Sequence, residues 1–253
     1  MSDPTRLLVE LHVERPDGFA LDVKFEASPG ISILFGPSGS GKSTILAAIA
    51  GLLRPARGRV ALGDDVWLDT AAGIDRPIHR RHVAFVFQTL ALFPHLSAID
   101  NVTYGMDRAR ATRASRRARA LTLLTRLRVG HLAARTPSTF SGGEAQRVAL
   151  ARAFAMDPRI VLFDEPFSAL DRELRRDLAS DLRAFVDELG VPMIHVTHHR
   201  NEARALGDRV ILLQKGRVAA IGSVAELLPP DPPEPANPAE IPIQATRWAR
   251  ERE

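Results

Sequence analysis

Ile31-Ser32-Ile33-Leu34-Phe35-Gly36-Pro37-Ser38-Gly39-Ser40-Gly41-Lys42-Ser43-Thr44 is a short apolar run that ends in glycine and leads into Ser43–Leu53, which meets no helix breaker until Gly51. Strand, glycine-rich loop and helix succeed one another. The loop has the spacing G-x-x-x-x-G-K-[ST], in which the glycines let the backbone curl until successive N–H groups face an anion at the positive end of the helix. Gly36, Pro37, Ser38, Gly39, Ser40, Gly41, Lys42, Ser43 and Thr44 are therefore candidate phosphate-binding residues. Lys42 is placed to reach terminal phosphates, and the Ser43 hydroxyl is suited to ligate Mg²⁺. A glycine turn without a ligand is the plain alternative, and the flanking strand and helix argue against it.

Upstream, Leu7, Val9, Leu11 and Val13 alternate with other residues, Asp17-Gly18 supplies a turn, and Leu21, Val23 and Phe25 alternate again. That pattern predicts an antiparallel hairpin. Downstream, Val83–Phe87, Ile160–Phe163, Pro192–Thr197 and Val210–Leu213 are short apolar runs separated by helical patterns. Such alternation predicts an α/β fold whose mostly parallel sheet is flanked by helices on both faces. Between Val83–Phe87 and Ile160–Phe163 the pattern turns helical and arginine-rich, which predicts an inserted helical subdomain over about residues 89–157. Lys215-Gly216 then turns the chain into Val218–Ile221, a terminal hairpin. Residues 1–228 are expected to form one domain, and the proline-rich stretch 229–253 an extended tail, because proline cannot serve helix or sheet interiors and 236–253 is too short for a further domain.

Composition narrows the classes. At 253 residues and 45% hydrophobic the chain can fold around one sizeable core, since a domain of this size buries roughly 75% of its unfolded surface. With no cysteine, disulfides and thiolate metal sites are excluded. The start Met1–Arg6 lacks a secretory pattern, and the longest apolar run, Ile45–Leu53, falls far short of the ~20 residues of a spanning helix, so a membrane role has to run through a partner. The net charge of +4 comes almost wholly from arginine, Lys24, Lys42 and Lys215 being the only lysines. The densest cluster, Arg108–Arg128, is mixed with alanine and leucine at helical spacing and carries no aromatic residue for bases to stack on. It reads as a solvated helical face, and no nucleic-acid partner is expected.

Asp164-Glu165 ends an apolar strand, where a carboxylate pair is costly unless it serves a cation or a water. Strand neighbours point to opposite faces, so Asp164 is assigned to Mg²⁺ and Glu165 to orienting and deprotonating an attacking water. The alternative is a helix-start pair ahead of Pro166. Gln88 and His198 come directly after strands and so sit where open α/β sheets meet ligands. His198 can donate to a terminal phosphate, and Gln88 can meet Mg²⁺ or the water. His195, an odd number of residues from His198, is expected on the opposite side, and His199 lies beyond the strand. Finally, Ser141-Gly142-Gly143-Glu144 opens a helix that runs unbroken through Ala155. Ser141 alone would make a simple N-cap. The double glycine weakens a first turn by up to roughly 1 kcal/mol per residue and so suggests a close backbone approach to a second anion. Two phosphate elements so far apart suggest nucleotide held between two copies.

Together these segments resemble the nucleotide-binding subunit of ABC transporters over about residues 7–225. Gly36–Thr44 resembles the Walker A loop, Gln88 the Q-loop, Phe140–Glu144 the signature, Ile160–Glu165 Walker B, Ser168-Ala169-Leu170-Asp171 the D-loop and Thr197-His198 the switch histidine. The resemblance implies a P-loop NTPase core with an N-terminal antiparallel β subdomain, Glu165, His198 and Gln88 as catalytic residues, and Ser43, Gln88 and Asp164 around Mg²⁺. It implies a head-to-tail pair in which Ser141, Gly142, Gly143, Glu144 and Asp171 complete the ATP site of the other copy. Permease subunits, an extracytoplasmic solute-binding protein and a peripheral place on the cytoplasmic face of the cell membrane are implied by the same resemblance. Phe140, Glu144 and His199 depart from the usual Leu, Gln and Asp. With Tyr104 the only tyrosine, adenine stacking falls to Phe19 unless that ring is core. Phe85–Gln88 through Leu92–Ser97 resemble importer subunits for oxyanions, polyamines, iron and sugars, while the short N-terminal hairpin, Gly30-Ile31 and Gly73-Ile74-Asp75 through Arg80-Arg81 are similar to those of the molybdate type. Import of sulfate, iron, polyamine or sugar, or a soluble non-transport role, are the alternatives.

Overall fold

The computed structural model describes residues 5–14, 18–107, 109, 111–167 and 172–229. In chain order the elements are β1 (Leu7–Glu14), β2 (Ala20–Ala27), β3 (Gly30–Phe35), α1 (Lys42–Ala50), β4 (Arg57–Leu62), β5 (Asp65–Asp69), β6 (Ile74–Asp75), β7 (Val83–Val86), α2 (Ala98–Tyr104), α3 (Arg113–Arg126), α4 (Gly142–Phe154), β8 (Ile160–Asp164), α5 (Arg172–Leu189), β9 (Pro192–Thr197), α6 (Arg200–Leu206), β10 (Arg209–Gln214), β11 (Arg217–Ser223) and α7 (Val224–Leu227). The stretch 229–253, expected as a tail, lies after Pro229 outside the described residues.

The strands join in one mixed sheet, in the order β6-β5-β4-β1-β2-β11-β10-β3-β9-β8-β7. Its right half, β10-β3-β9-β8-β7, is parallel throughout, and its left half is mainly antiparallel. Burial tracks pairing. β9 is buried at every position and β8 at all but its last, as strands covered on both faces must be, whereas β1 alternates buried with less buried residues. The antiparallel half is larger than the hairpin that sequence alternation predicted. It gains β4, whose Arg57-Gly58-Arg59 start carries no apolar alternation and which becomes a strand through its register with β1.

The pleat divides the core in two. Ile31, Ile33, Val161, Phe163 and Met193 face α2–α5, while Leu34, Leu162, Ile194, Val196 and Ile211 face α1 and the antiparallel half. Leu178 and Leu182 of α5 are fully buried against the first cluster, each contributing about 1.5–3 kcal/mol. Helices α2, α3 and α4 lie between β7 and β8 in the chain and pack on one another. Strand register aligns the carboxyl ends: Phe35 lies opposite Thr197, Asp164 opposite Val196, and Val86 opposite Phe163. Four parallel strands therefore end along one edge, and Gly36, Glu165, His198 and Phe87 all leave the sheet there.

Candidate functional site

The phosphate loop is shaped by close contacts beneath it. A Cβ on Gly36 would lie 2.4 Å from the Leu213 carbonyl oxygen, and Gly41 is held at φ 103°, in the left-handed region open to glycine. Gly41 is also the N-cap of α1, so no side chain caps that helix. Lys42 folds back over the loop, its Nζ donating to the carbonyls of Gly36 and Pro37 at 2.9 Å each. Burial pushes the Lys42 ammonium below its ordinary value, and the charges of Glu165 and Asp164 pull the other way. A cavity of about 400 Å³ lies over the loop, lined by Phe19, Ser38, Gly39, Gly41, Lys42, Ser43, Thr44 and Glu165. Phe19 packs on the core and also lines this cavity.

Ser43 Oγ donates to Asp164 Oδ1 at 3.1 Å. Burial raises the Asp164 carboxyl above its usual range; the Ser43 hydrogen bond opposes the rise and the Glu165 charge adds to it. A carboxyl so desolvated is primed to gain from a cation. One hydroxyl and one carboxylate are hard oxygen donors of the kind Mg²⁺ takes when substrate phosphates and waters complete its shell, so the pair fits that ion. Among the described residues no group of three His, Asp or Glu gathers as a fuller metal cage.

Glu165 reaches its place by a route that strand geometry did not foresee. The pleat that was expected to separate it from Asp164 has ended: Glu165 sits at φ 47°, a left-handed conformation, with its N–H donating to the Val196 carbonyl at 3.1 Å. Its Oε2 lies 3.0 Å from His198 Nδ1. The His198 ring lies against His199 at a tilt of 37°, centroids 4.1 Å apart. Burial, then the His198 charge, lowers the His199 imidazole below its ordinary value. Gln88 is exposed, two residues beyond the end of β7, and is not part of the cavity lining.

Ser141, Gly142, Gly143 and Glu144 are likewise absent from that lining. They open α4 with a reciprocal capping box: Ser141 Oγ accepts from the Glu144 amide at 3.3 Å, and Glu144 Oε2 accepts from the Ser141 amide at 2.7 Å. His131 Nε2 lies 3.3 Å from the other Glu144 oxygen. Gly143 packs on Leu174, whose Cδ2 would lie 2.4 Å from an added Cβ. Asp171 falls outside the described residues.

Two features escaped the sequence reading. Arg152, near the end of α4, donates to the carbonyls of Leu90 at 2.8 Å and Ala91 at 2.7 Å, gripping two consecutive left-handed residues just past Gln88. No local pattern marks it. The arginines of α3 are also not simply solvated: Arg117 pairs with Asp100 at 2.8 Å, Arg119 with Asp157, and Arg126 with Glu188 while lying 4.1 Å over the Phe185 ring. Acidic partners scattered over three other segments hide such pairing from a linear reading.

A phosphate loop, a hydroxyl–carboxylate pair and a glutamate–histidine pair at the end of a parallel sheet define a nucleotide-binding cassette, and the sequence profile of the family described as "ABC transporter" matches residues 21–168. The chain belongs to the ABC transporter family. More particularly, it is similar to "Molybdenum import ATP-binding protein ModC 1" of Azotobacter vinelandii, at 45% identity over 212 residues, 83% of this chain and 58% of that protein. It is similar also to "Molybdenum import ATP-binding protein ModC" of Rhizobium meliloti (strain 1021), at 42% identity over 223 residues, 88% of this chain and 62% of that protein. The chain thus spans about three fifths of the length of these relatives. Among solved structures, "Dimeric Structure of MJ0796, a Bacterial ABC Transporter Cassette" superposes with a TM-score of 0.72 at 32% identity, over 87% of this chain and 98% of that one.

Proposed function

We propose that this chain is the ATP-binding subunit of an importer, hydrolysing ATP in a head-to-tail pair of copies to drive uptake of molybdate or a related oxyanion. The reading is carried by one observation, the meeting at one sheet edge of the phosphate loop with the Ser43–Asp164 and Glu165–His198 pairs. The loop amides and Lys42 hold the phosphates. Ser43 and Asp164 would hold Mg²⁺, and Gln88 is the further residue assigned to its surroundings. When bound, the ion neutralises charge on the phosphate oxygens. Glu165 Oε accepts a proton from the attacking water, and His198, whose Nδ1 lies 3.0 Å from the same carboxylate, is assigned to the terminal phosphate.

Ser141, Gly142, Gly143, Glu144 and Asp171 complete the ATP site of the second copy. The dimeric titles of the similar cassettes, one of them "bound to ADP and Pi", support that arrangement. The printed names of the relatives support molybdenum as cargo. No helix among the described residues is long and apolar enough to cross a membrane. Coupling is assigned to permease subunits on the cytoplasmic face. A groove of about 440 Å³ lined by His95, Leu96, Asp100, Thr103, Tyr104, Arg113, Arg116 and Arg117 is the surface we assign to them.

Glu165→Gln tests the chemistry. Turnover should fall by about 10²–10⁴-fold while ATP binding persists; hydrolysis at the unsubstituted rate would remove Glu165 from its role. Restoration of molybdate uptake in a strain lacking its own importer ATPase, scored with the cognate permease present, tests the cargo.

A further inference from the structure

His195 is fully buried in β9 and takes no part in the chemistry above. Its Nε2 lies 2.5 Å from Glu202 Oε1, and the Glu202 side chain is only 2% exposed. Nδ1 meets no polar partner among the described residues. The ring is set instead between two phenylalanines, its centroid 5.9 Å from Phe163 and 5.8 Å from Phe167. A half-satisfied imidazole and a carboxylate in an apolar site are less favourable than apolar side chains of the same volume. Packing alone gives no reason for them.

Their position does. Phe163 and Phe167 flank Glu165 two residues to either side, and Glu165 keeps its left-handed conformation with its N–H on Val196, the residue after His195. A non-glycine residue stays in that region only where its surroundings hold it. Glu202 sits in the first turn of α6, whose N-cap is His199, so its bond to His195 spans the turn that carries His198. One buried pair therefore braces both arms of the 3.0 Å contact between Glu165 and His198.

We propose that His195 and Glu202 form a positioning pair that holds the Glu165 turn and the His198 turn against each other without touching the reacting atoms. The proposal rests on the reading of Glu165 as general base and His198 as its partner. It predicts a loss in kcat with little change in affinity, acting through Glu165 and His198.

The full chain with Mg-ATP is assayed for kcat, KM and thermal midpoint. The double variant His195→Phe with Glu202→Leu, which fills the site with apolar groups, should keep or raise the thermal midpoint. Its kcat should fall about tenfold while KM for ATP stays within about twofold. Made in a His198→Ala background, the same double replacement should cause a clearly smaller fall in kcat, because only the Glu165 arm is then left to position. An unchanged kcat in the double variant, or an undiminished fall in the His198→Ala background, overturns the proposal. Should the double variant fail to fold, Glu202→Gln, of equal volume, carries the test: a fall of about threefold in kcat at constant KM is expected, and no fall overturns it. Failure of the underlying reading has a separate signature, since Glu165→Gln would then hydrolyse ATP at the unsubstituted rate whatever the pair does.

Discussion

Helices α1 and α4 both start beside glycine, Gly41 as the N-cap of the first and Gly142 as the first residue of the second, and they treat their first amides in opposite ways. At α1 the N-cap is Gly41, which has no side chain to offer, and Lys42 brings a positive charge over the loop instead. At α4 the N-cap is Ser141, and with Glu144 it closes a box that engages the amides of Ser141 and Glu144 but not those between them. The first leaves its amides open beneath a cavity in a single copy of the chain. The second is a helix start stable on its own, with the glycine amides set between two self-satisfied ones. A helix N-terminus becomes a phosphate site only to the extent that the chain withholds its own side chains from it.

Lys42→Ala should have the largest effect, cutting kcat/KM for ATP by about 10²–10³-fold in a phosphate-release assay while leaving the thermal midpoint within a few degrees. Retained activity would mean that the loop amides suffice and that the charge difference between the two helix starts is incidental. The glycines separate the sites next. Gly36→Ala drives a Cβ onto the Leu213 backbone oxygen, which cannot yield, and should destabilise by about 1–3 kcal/mol in denaturant unfolding. At Gly143 the obstacle is the tip of the Leu174 side chain, which can turn away, so Gly143→Ala should change stability by less than about 1 kcal/mol while still impairing hydrolysis. Equal destabilisation at both would erase the distinction and leave Gly143 as a packing glycine.

Smaller effects probe the cap itself. Ser141→Ala should cost about 1 kcal/mol in thermal or denaturant unfolding. The Ser141 amide, then its hydroxyl, hold the Glu144 carboxyl below its ordinary range. A depressed carboxyl stabilises the fold above its unfolded value, and that contribution disappears as pH falls through the lower folded value. Glu144→Gln should therefore cost about 0.3–1 kcal/mol near neutrality and nothing once acid has protonated Glu144. A pH-independent difference would show that charge at this helix start is irrelevant.

Much of the architecture was legible because it is written in short apolar runs. Pro192–Thr197 is a strand with the bounds its apolar run suggests, and α1 ends where Gly51 adopts φ 86° as its C-cap. The antiparallel half was only partly legible, since β4 through β6 owe their extended form to neighbours rather than to alternation. At the site, residue types were readable and their wiring was not. Glu165 parts from Asp164 through a left-handed backbone rather than through the pleat, and Arg152 and the His195–Glu202 pair act across elements that no spacing rule connects.

The phosphate loop could be read in full from the amino-acid order, because its conformation depends on residues within a few positions: glycines that permit it and a lysine bonded to carbonyls five and six residues back. The same order also places carboxylates and a histidine at strand ends. That Ser43 meets Asp164 across 121 residues, and that Glu165 meets His198, came only with the folded chain. Such meetings are set by the register of parallel strands and by core packing on both faces of the sheet, and those arise from contacts between segments far apart in the chain.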